Sequence, residues 1–272
     1  MPERPLAVVT GASSGIGAEF ARQLAARGYD LLLAARRGER LRSLAREINA
    51  LHLVEIELMP CDLAIDADLH RLAARIRAAR HFALLVNNAG FGTNGFFAEV
   101  DLASQDRMHR LHVLATLELT HAALTNLSAR EHHARQGVIN VASIASFGQA
   151  PTNVSYCATK TWMASFTSGL ATELAMRGST IRMQALCPGY TLSEFHDRLN
   201  MNRRAVPKFL WMTAEFVVTE SLRGFERRRI FVVPGWHYKT LVFLIRAIPA
   251  SWLRWFSIRI ARRRAKMQLT PD

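Results

Sequence analysis

The segment Thr10-Gly11-Ala12-Ser13-Ser14-Gly15-Ile16-Gly17 constrains this chain more than any other. It closes a short apolar run, residues 6–10, and opens directly onto an amphipathic stretch over 15–27. Glycine permits a tight strand-to-helix turn. It also lets backbone N–H groups approach a pyrophosphate at the helix N-terminus, where the dipole favours negative charge. The spacing is Gly-x3-Gly-x-Gly rather than the commoner Gly-x-Gly-x2-Gly. Gly11, Ser13, Ser14, Gly15, Ile16 and Gly17 are therefore expected to cradle the phosphates of a dinucleotide.

The rest of the chain repeats the same rhythm. Apolar runs over 30–35, 53–58, 83–87, 137–142, 180–186 and 230–233 alternate with helical patterns over 40–50, 68–79, 104–130, 155–176 and 214–226. Continuous apolar runs suit strands buried on both faces, and the alternation is that of βαβ units. Ser104 is the expected cap of the long fourth helix. The pattern predicts an α/β fold with a doubly wound, Rossmann-type parallel sheet of seven strands in a single domain. A chain of 272 residues, 50% hydrophobic, is long enough for one such core. Residues 1–235 form the expected dinucleotide-binding catalytic domain. Within it, 188–212 lies where open α/β sheets place ligands and reads either as a substrate lid or as a surface helix.

Chemistry gathers at the strand ends. The second strand ends Ala34-Ala35-Arg36-Arg37. An acid there would accept hydrogen bonds from the adenine ribose, whereas Arg36 and Arg37 complement a 2′-phosphate, which favours NADP(H) over NAD. Asp62, with Leu63 beside it, either holds the adenine amino group or caps a helix entry. Asn88, Ala89 and Gly90 follow the fourth strand and read either as tying neighbouring strands and lining the cofactor's ribose side or as local turn chemistry. Ser143 follows the fifth strand, and Tyr156 and Lys160 share one face of the next helix. A cationic Lys160 is expected to lower the tyrosine pKa from about 10, so that Tyr156 trades protons with a carbonyl/alcohol pair while Ser143 holds the oxygen.

Taken in order, the segment Thr10 to Gly17, Asn87-Asn88-Ala89-Gly90, Ser143, Tyr156-Cys157-Ala158-Thr159-Lys160 and Pro188-Gly189-Tyr190-Thr191 resemble the short-chain dehydrogenase/reductase family. The resemblance covers roughly 6–235. It implies a nicotinamide-dependent oxidoreductase, commonly a homo-oligomer, with Ser143, Tyr156 and Lys160 catalytic. It also implies that Tyr156, Lys160, Pro188, Gly189 and Thr191 border the cofactor. One position departs from the family. Where its members usually carry a catalytic asparagine, within Arg110-Leu111-His112-Val113, this chain has His112. Histidine also hydrogen-bonds water, so a modified proton relay is one reading; an impaired enzyme or a histidine serving as packing are the others. The competing functional class is a non-catalytic NADPH-binding or membrane-surface interaction protein, against which the joint presence of Ser143, Tyr156 and Lys160 counts.

The remaining features set partners and place. The formal charge is +13, yet eight Lys/Arg and no acid fall between Lys239 and Lys266. The excess thus belongs to a basic C-terminal extension, 236–272, rather than to a nucleic-acid face. No apolar run approaches the ~20 residues of a membrane span. A helix from Trp252 would align Trp252, Leu253, Phe256 and Ile260 on one side, with Arg254, Arg259 and the run 262–264 mostly elsewhere. It fits either peripheral contact with an anionic membrane or packing over the cleft or a subunit interface. Three scattered cysteines and the lack of a leader pattern predict a cytoplasmic protein. His109, His112 and His121 have no acidic or thiol companion, so no metal is expected. Phe91, Phe96, Phe97 and Phe147, with the apolar 188–212 segment, predict an apolar small-molecule substrate.

Overall fold

The computed structural model describes residues 4–129, 136–149, 151–195, 206–249, 251, 252, 255, 258 and 259. Seven parallel strands form one sheet in the order β3-β2-β1-β4-β5-β6-β7. They are β1 (Leu6–Thr10), β2 (Asp30–Ala35), β3 (Ile56–Pro60), β4 (Phe82–Asn87), β5 (Gly137–Val141), β6 (Arg182–Leu186) and β7 (Phe231–Val232). The helices are α1 (Gly15–Ala25), α2 (Gly38–Asn49), α3 (Asp66–Ala78), α4 (Leu102–His109), α5 (Ala115–Ser128), α6 (Val154–Met176), α7 (Ala214–Glu226) and α8 (Trp236–Ala247).

Strand side chains alternate between two apolar layers, as the period of two requires. Ala7, Val9, Leu31, Leu33, Leu84 and Val86 face α1, α2 and α7. Val8, Leu32, Ala34 and Leu85 face α3, α5 and α6. Chain order reverses between β1 and β4, and at such a switch point diverging loops leave a crevice beyond the strands' carboxyl ends. A buried polar chain ties that region together. Asn87 Nδ2 donates to Thr120 Oγ1 (3.1 Å) and to Asn140 Oδ1 (2.9 Å), and Asn140 Nδ2 donates to Thr167 Oγ1 (2.9 Å).

Three boundaries differ from expectation. The apolar run 53–58 starts too early for β3, because Leu53 is 86% exposed and the pairing register sets Leu31 opposite Ile56. The expected helix over 104–130 is two helices joined by one wider, π-type turn at Arg110–Leu114. Its cap is Asp101, whose carboxylate accepts the Ser104 N–H at 2.8 Å, so Ser104 is capped rather than capping. The start of the 236–272 extension belongs to the core: Tyr238 and Val242 of α8 are buried. The 196–205 part of the segment after β6, including Leu199, lies outside the described residues, as do Leu253, Arg254, Phe256, Ile260 and the run 262–264.

Candidate active site

The glycine turn folds as its composition requires. Gly11 and Gly15 hold φ of +65° and +55°, a region that costs other residues steric strain. A Cβ on Gly17 would stand 2.4 Å from both the Gly11 carbonyl and Asn88 Nδ2. The turn is therefore seated on the end of β4. Asn88 returns the contact by donating its amide to the Thr10 carbonyl at 2.9 Å, and Thr10 Oγ1 accepts the backbone N–H groups of Asn88 and Ala89.

This seat floors a cavity of about 540 Å³. Gly11, Ser13, Ser14, Gly15, Ile16, Arg36, Arg37, Asp62 and Leu63 line one end, with Asn88, Ala89 and Gly90 along its length. Ser143, Tyr156, Lys160, Pro188, Gly189 and Thr191 line the other. Gly17 and His112 do not line it. Of the phenylalanines expected at the mouth, Phe91 lines the cavity; Phe96 and Phe97 project into solvent. Phe147 packs instead against Phe231 and under the Arg246 guanidinium. A long slot with a glycine floor at one end and cations beside it suits a phosphorylated dinucleotide.

At the cationic end, Arg37 donates to Ser13 Oγ and Ser14 Oγ (3.0 and 2.8 Å) and to Glu194 Oε2 (2.7 Å). Arg40 also pairs with Glu194. Burial pushes the Glu194 carboxyl up, but these two guanidinium bonds outweigh it and hold its pKa below the ordinary value. Arg36 lies exposed at the rim. Asp62 is committed to local structure: Oδ1 accepts the Ala64 N–H (3.1 Å) and Oδ2 pairs with Arg107. Glu194, Arg107 and Ile245 on the cavity wall were missed in the sequence. Each arrives from an element whose docking no local pattern announces.

At the other end, Lys160 lies one helical turn below Tyr156, with Nζ 5.8 Å from the ring centroid and donating to the Val141 carbonyl at 2.8 Å. Burial pushes the Tyr156 phenol up to about 12, against the lowering effect of its hydrogen bond with Ser143. Burial also brings Lys160 down to about 7. The expectation that the lysine's charge lowers the tyrosine pKa is thus corrected. In this site desolvation dominates, because both charged forms lose water. The Ser143 oxygen accepts the Ala145 N–H at 3.1 Å, which fixes the hydroxyl at the start of a short helical turn.

His112 sits one layer behind, fully buried, its ring edge-on to Tyr156 at 5.9 Å. Thr159 Oγ1 donates to the Tyr156 carbonyl (2.9 Å). That hydroxyl therefore accepts from Nδ1–H of His112, also at 2.9 Å, and the imidazole's other nitrogen is left as an acceptor. This Nε2 has no protein partner and occupies the space a Cβ on Gly90 would need, 2.6 Å away. Burial first, then the nearby Lys160 and His109 charges, hold the ring's pKa well below its ordinary value, so it is neutral.

The segment after β6 is clamped from the C-terminal side. Backbone bonds join Leu192 N–H to the Met212 carbonyl and Met212 N–H to the Tyr190 carbonyl, each at 2.9 Å. The Tyr238 hydroxyl accepts the Tyr190 N–H (3.0 Å) and donates to the Leu210 carbonyl (2.7 Å). Its ring lies flat on Gly189, where a Cβ would stand 2.1 Å from a ring carbon.

Residues 5–204 match the family model described as short chain dehydrogenase. Nodulation protein G of Rhizobium sp. (strain N33) is 34% identical over 195 residues, covering 71% of this chain and 76% of that protein. A short-chain dehydrogenase from Sphingobium yanoikuyae, solved in complex with NADPH, superposes with a TM-score of 0.79 at 30% identity, covering 98% of this chain and 96% of that one. The bulky-bulky ketone specific alcohol dehydrogenase from Comamonas testosteroni superposes with a TM-score of 0.75 at 29% identity, covering 98% and 95%.

Proposed function

The chain belongs to the short-chain dehydrogenase family, and from that premise we propose that it is an NADPH-dependent reductase of apolar ketones or aldehydes, able to run in reverse on secondary alcohols. It is an oxidoreductase of CH–OH and C=O groups. The observation that carries the reading is the meeting of Ser143, Tyr156 and Lys160 on one cavity with the glycine turn at its far end.

A dinucleotide held in this cavity would supply the hydride. The glycine turn would hold its phosphates through backbone N–H groups, and Arg36 at the rim would favour the 2′-phosphorylated form, Arg37 being engaged by Glu194. Tyr156 is the catalytic acid. With its pKa near 12 the phenol keeps its proton at neutral pH, the state needed to protonate a carbonyl oxygen. The Ser143 hydroxyl, hydrogen-bonded to the phenol, holds that oxygen in line. When protonated, Lys160, its Nζ 5.8 Å from the same ring, offsets only part of the desolvation cost of the phenolate left once the proton has gone. Ile144, Phe91, Phe195 and Ile245 give the wall an apolar surface, which suits a bulky hydrophobic carbonyl compound. The bulky-bulky ketone specificity of the Comamonas testosteroni enzyme agrees with that reading.

NADPH consumption across a series of ketones and aldehydes tests it, with Tyr156→Phe as the control. Wild type should turn over apolar ketones. The variant should lose at least about a hundredfold in rate, the usual scale of a positioned acid, while binding NADPH normally. Equal rates for the two proteins would remove the mechanism.

A further inference from the structure

Helix α8 presents two unlike sides. Tyr238 and Val242 are buried in the core, and Ile245 on the same seam reaches the cavity wall. The opposite side is turned outward and is apolar: Trp236 is 78%, Phe243 70% and Leu244 50% exposed. Trp252 and Trp255 beyond it are also more than half exposed. Cations flank these side chains, with Arg246 over the Phe147 ring and Arg259 over the Trp255 ring. Between Lys239 and Lys266 the chain carries eight Lys/Arg and no acid.

We propose that the outward face of α8, with Trp252 and Trp255 beyond it, forms a peripheral docking surface for an anionic lipid bilayer. Trp236, Phe243, Leu244, Trp252 and Trp255 enter the headgroup boundary, and Arg246 and Arg259 lie among the lipid phosphates. Aromatic side chains with long basic ones are the composition that such a boundary rewards. Charge selects lipid over a second copy of the chain: a two-fold contact would set one unrelieved basic segment against another, whereas anionic headgroups neutralise it. The contact is peripheral; among the described residues no helix is long and apolar enough to cross a membrane. Ile245, on the opposite seam, faces the cavity rather than the lipid, so the docking does not rest on the carbonyl-reductase reading.

Flotation of the full-length protein with vesicles tests the docking independently of turnover. Phosphatidylcholine vesicles are compared with phosphatidylcholine and phosphatidylglycerol mixed at roughly three to one. Wild type and the inactive Tyr156→Phe variant should both float with the mixed vesicles, and high salt should release them. Phe243→Ser with Leu244→Ser should reduce flotation by about tenfold or more, while a small water-soluble ketone is still reduced at the wild-type rate without vesicles. Wild type remaining unbound, or the double variant floating equally, overturns the proposal. Concentration-dependent dimerisation that the double variant abolishes, without flotation, also overturns it and gives the face to a second copy.

Discussion

At the scale of single residues, the site is governed by desolvation. Lys160 has a pKa of about 7 against an ordinary 10.5. Between those values the unfolded chain holds the proton and the folded chain does not, so stability rises with pH across that window. The cost of burying the lysine is therefore small above 10.5, grows as pH falls, and is complete below about 7. Lys160→Met should raise the melting temperature at about pH 7, and the gain should shrink by about pH 10. A gain that is equal at both values would show that the amine is not desolvated. His112 makes a second case. Its identity as a departure was legible in the sequence, but its place was not. The ring is held by Thr159 and fills the space a Cβ on Gly90 would need, one layer from the cavity. His112→Asn should therefore change NADPH turnover by less than about tenfold, below the usual contribution of a group that transfers protons. A large rate gain would instead mark the histidine as a handicap.

At the scale of elements, the glycine turn, the buried strands and the Ser143–Tyr156–Lys160 constellation were legible because local chemistry dictates them. Glycine spacing sets a turn, and one helical turn sets Tyr156 beside Lys160. What was not legible depends on distant partners. The start of β3 is fixed by its register on β2, not by the leucines that precede it. The π-type turn at Arg110–Leu114 interrupts a pattern that reads as continuous helix. The basic tail gave no sign that its first helix would close the site, because Tyr238 acts through contacts with Gly189, Tyr190 and Leu210 that lie 28 or more residues away. Tyr238→Phe keeps the ring but strands a part-buried backbone N–H and carbonyl, at about 1 kcal/mol for each, the low end of the cost of an unsatisfied group. The variant should melt earlier and show a raised KM for NADPH with kcat less affected, since the loop it loosens borders the proposed cofactor seat. An unchanged KM would reduce Tyr238 to packing.

At the scale of the whole molecule, charge and topology act on the same crevice. The order in which the chain adds strands reverses between β1 and β4, so elements from β2, α2 and the segment after β6 converge at its cationic end. There Glu194 already engages Arg37 and Arg40, which offsets part of the local attraction for a phosphate. Attraction for NADPH must then come from Arg36 at the rim and from the molecule's overall field, set by a formal charge of +13. A field of that kind is screened by salt, whereas a tightly paired local bond is screened far less. Raising ionic strength from about 0.02 M to about 0.5 M should accordingly lower kcat/KM for NADPH several-fold, with a smaller fall for NADH, which carries less negative charge. Because steering acts on encounter rather than on the bound state, kcat at saturating NADPH should move little. Identical salt dependence for the two cofactors would mean that the positive field does not distinguish the 2′-phosphate, and that preference would have to reside in Arg37 displacing its own partner Glu194.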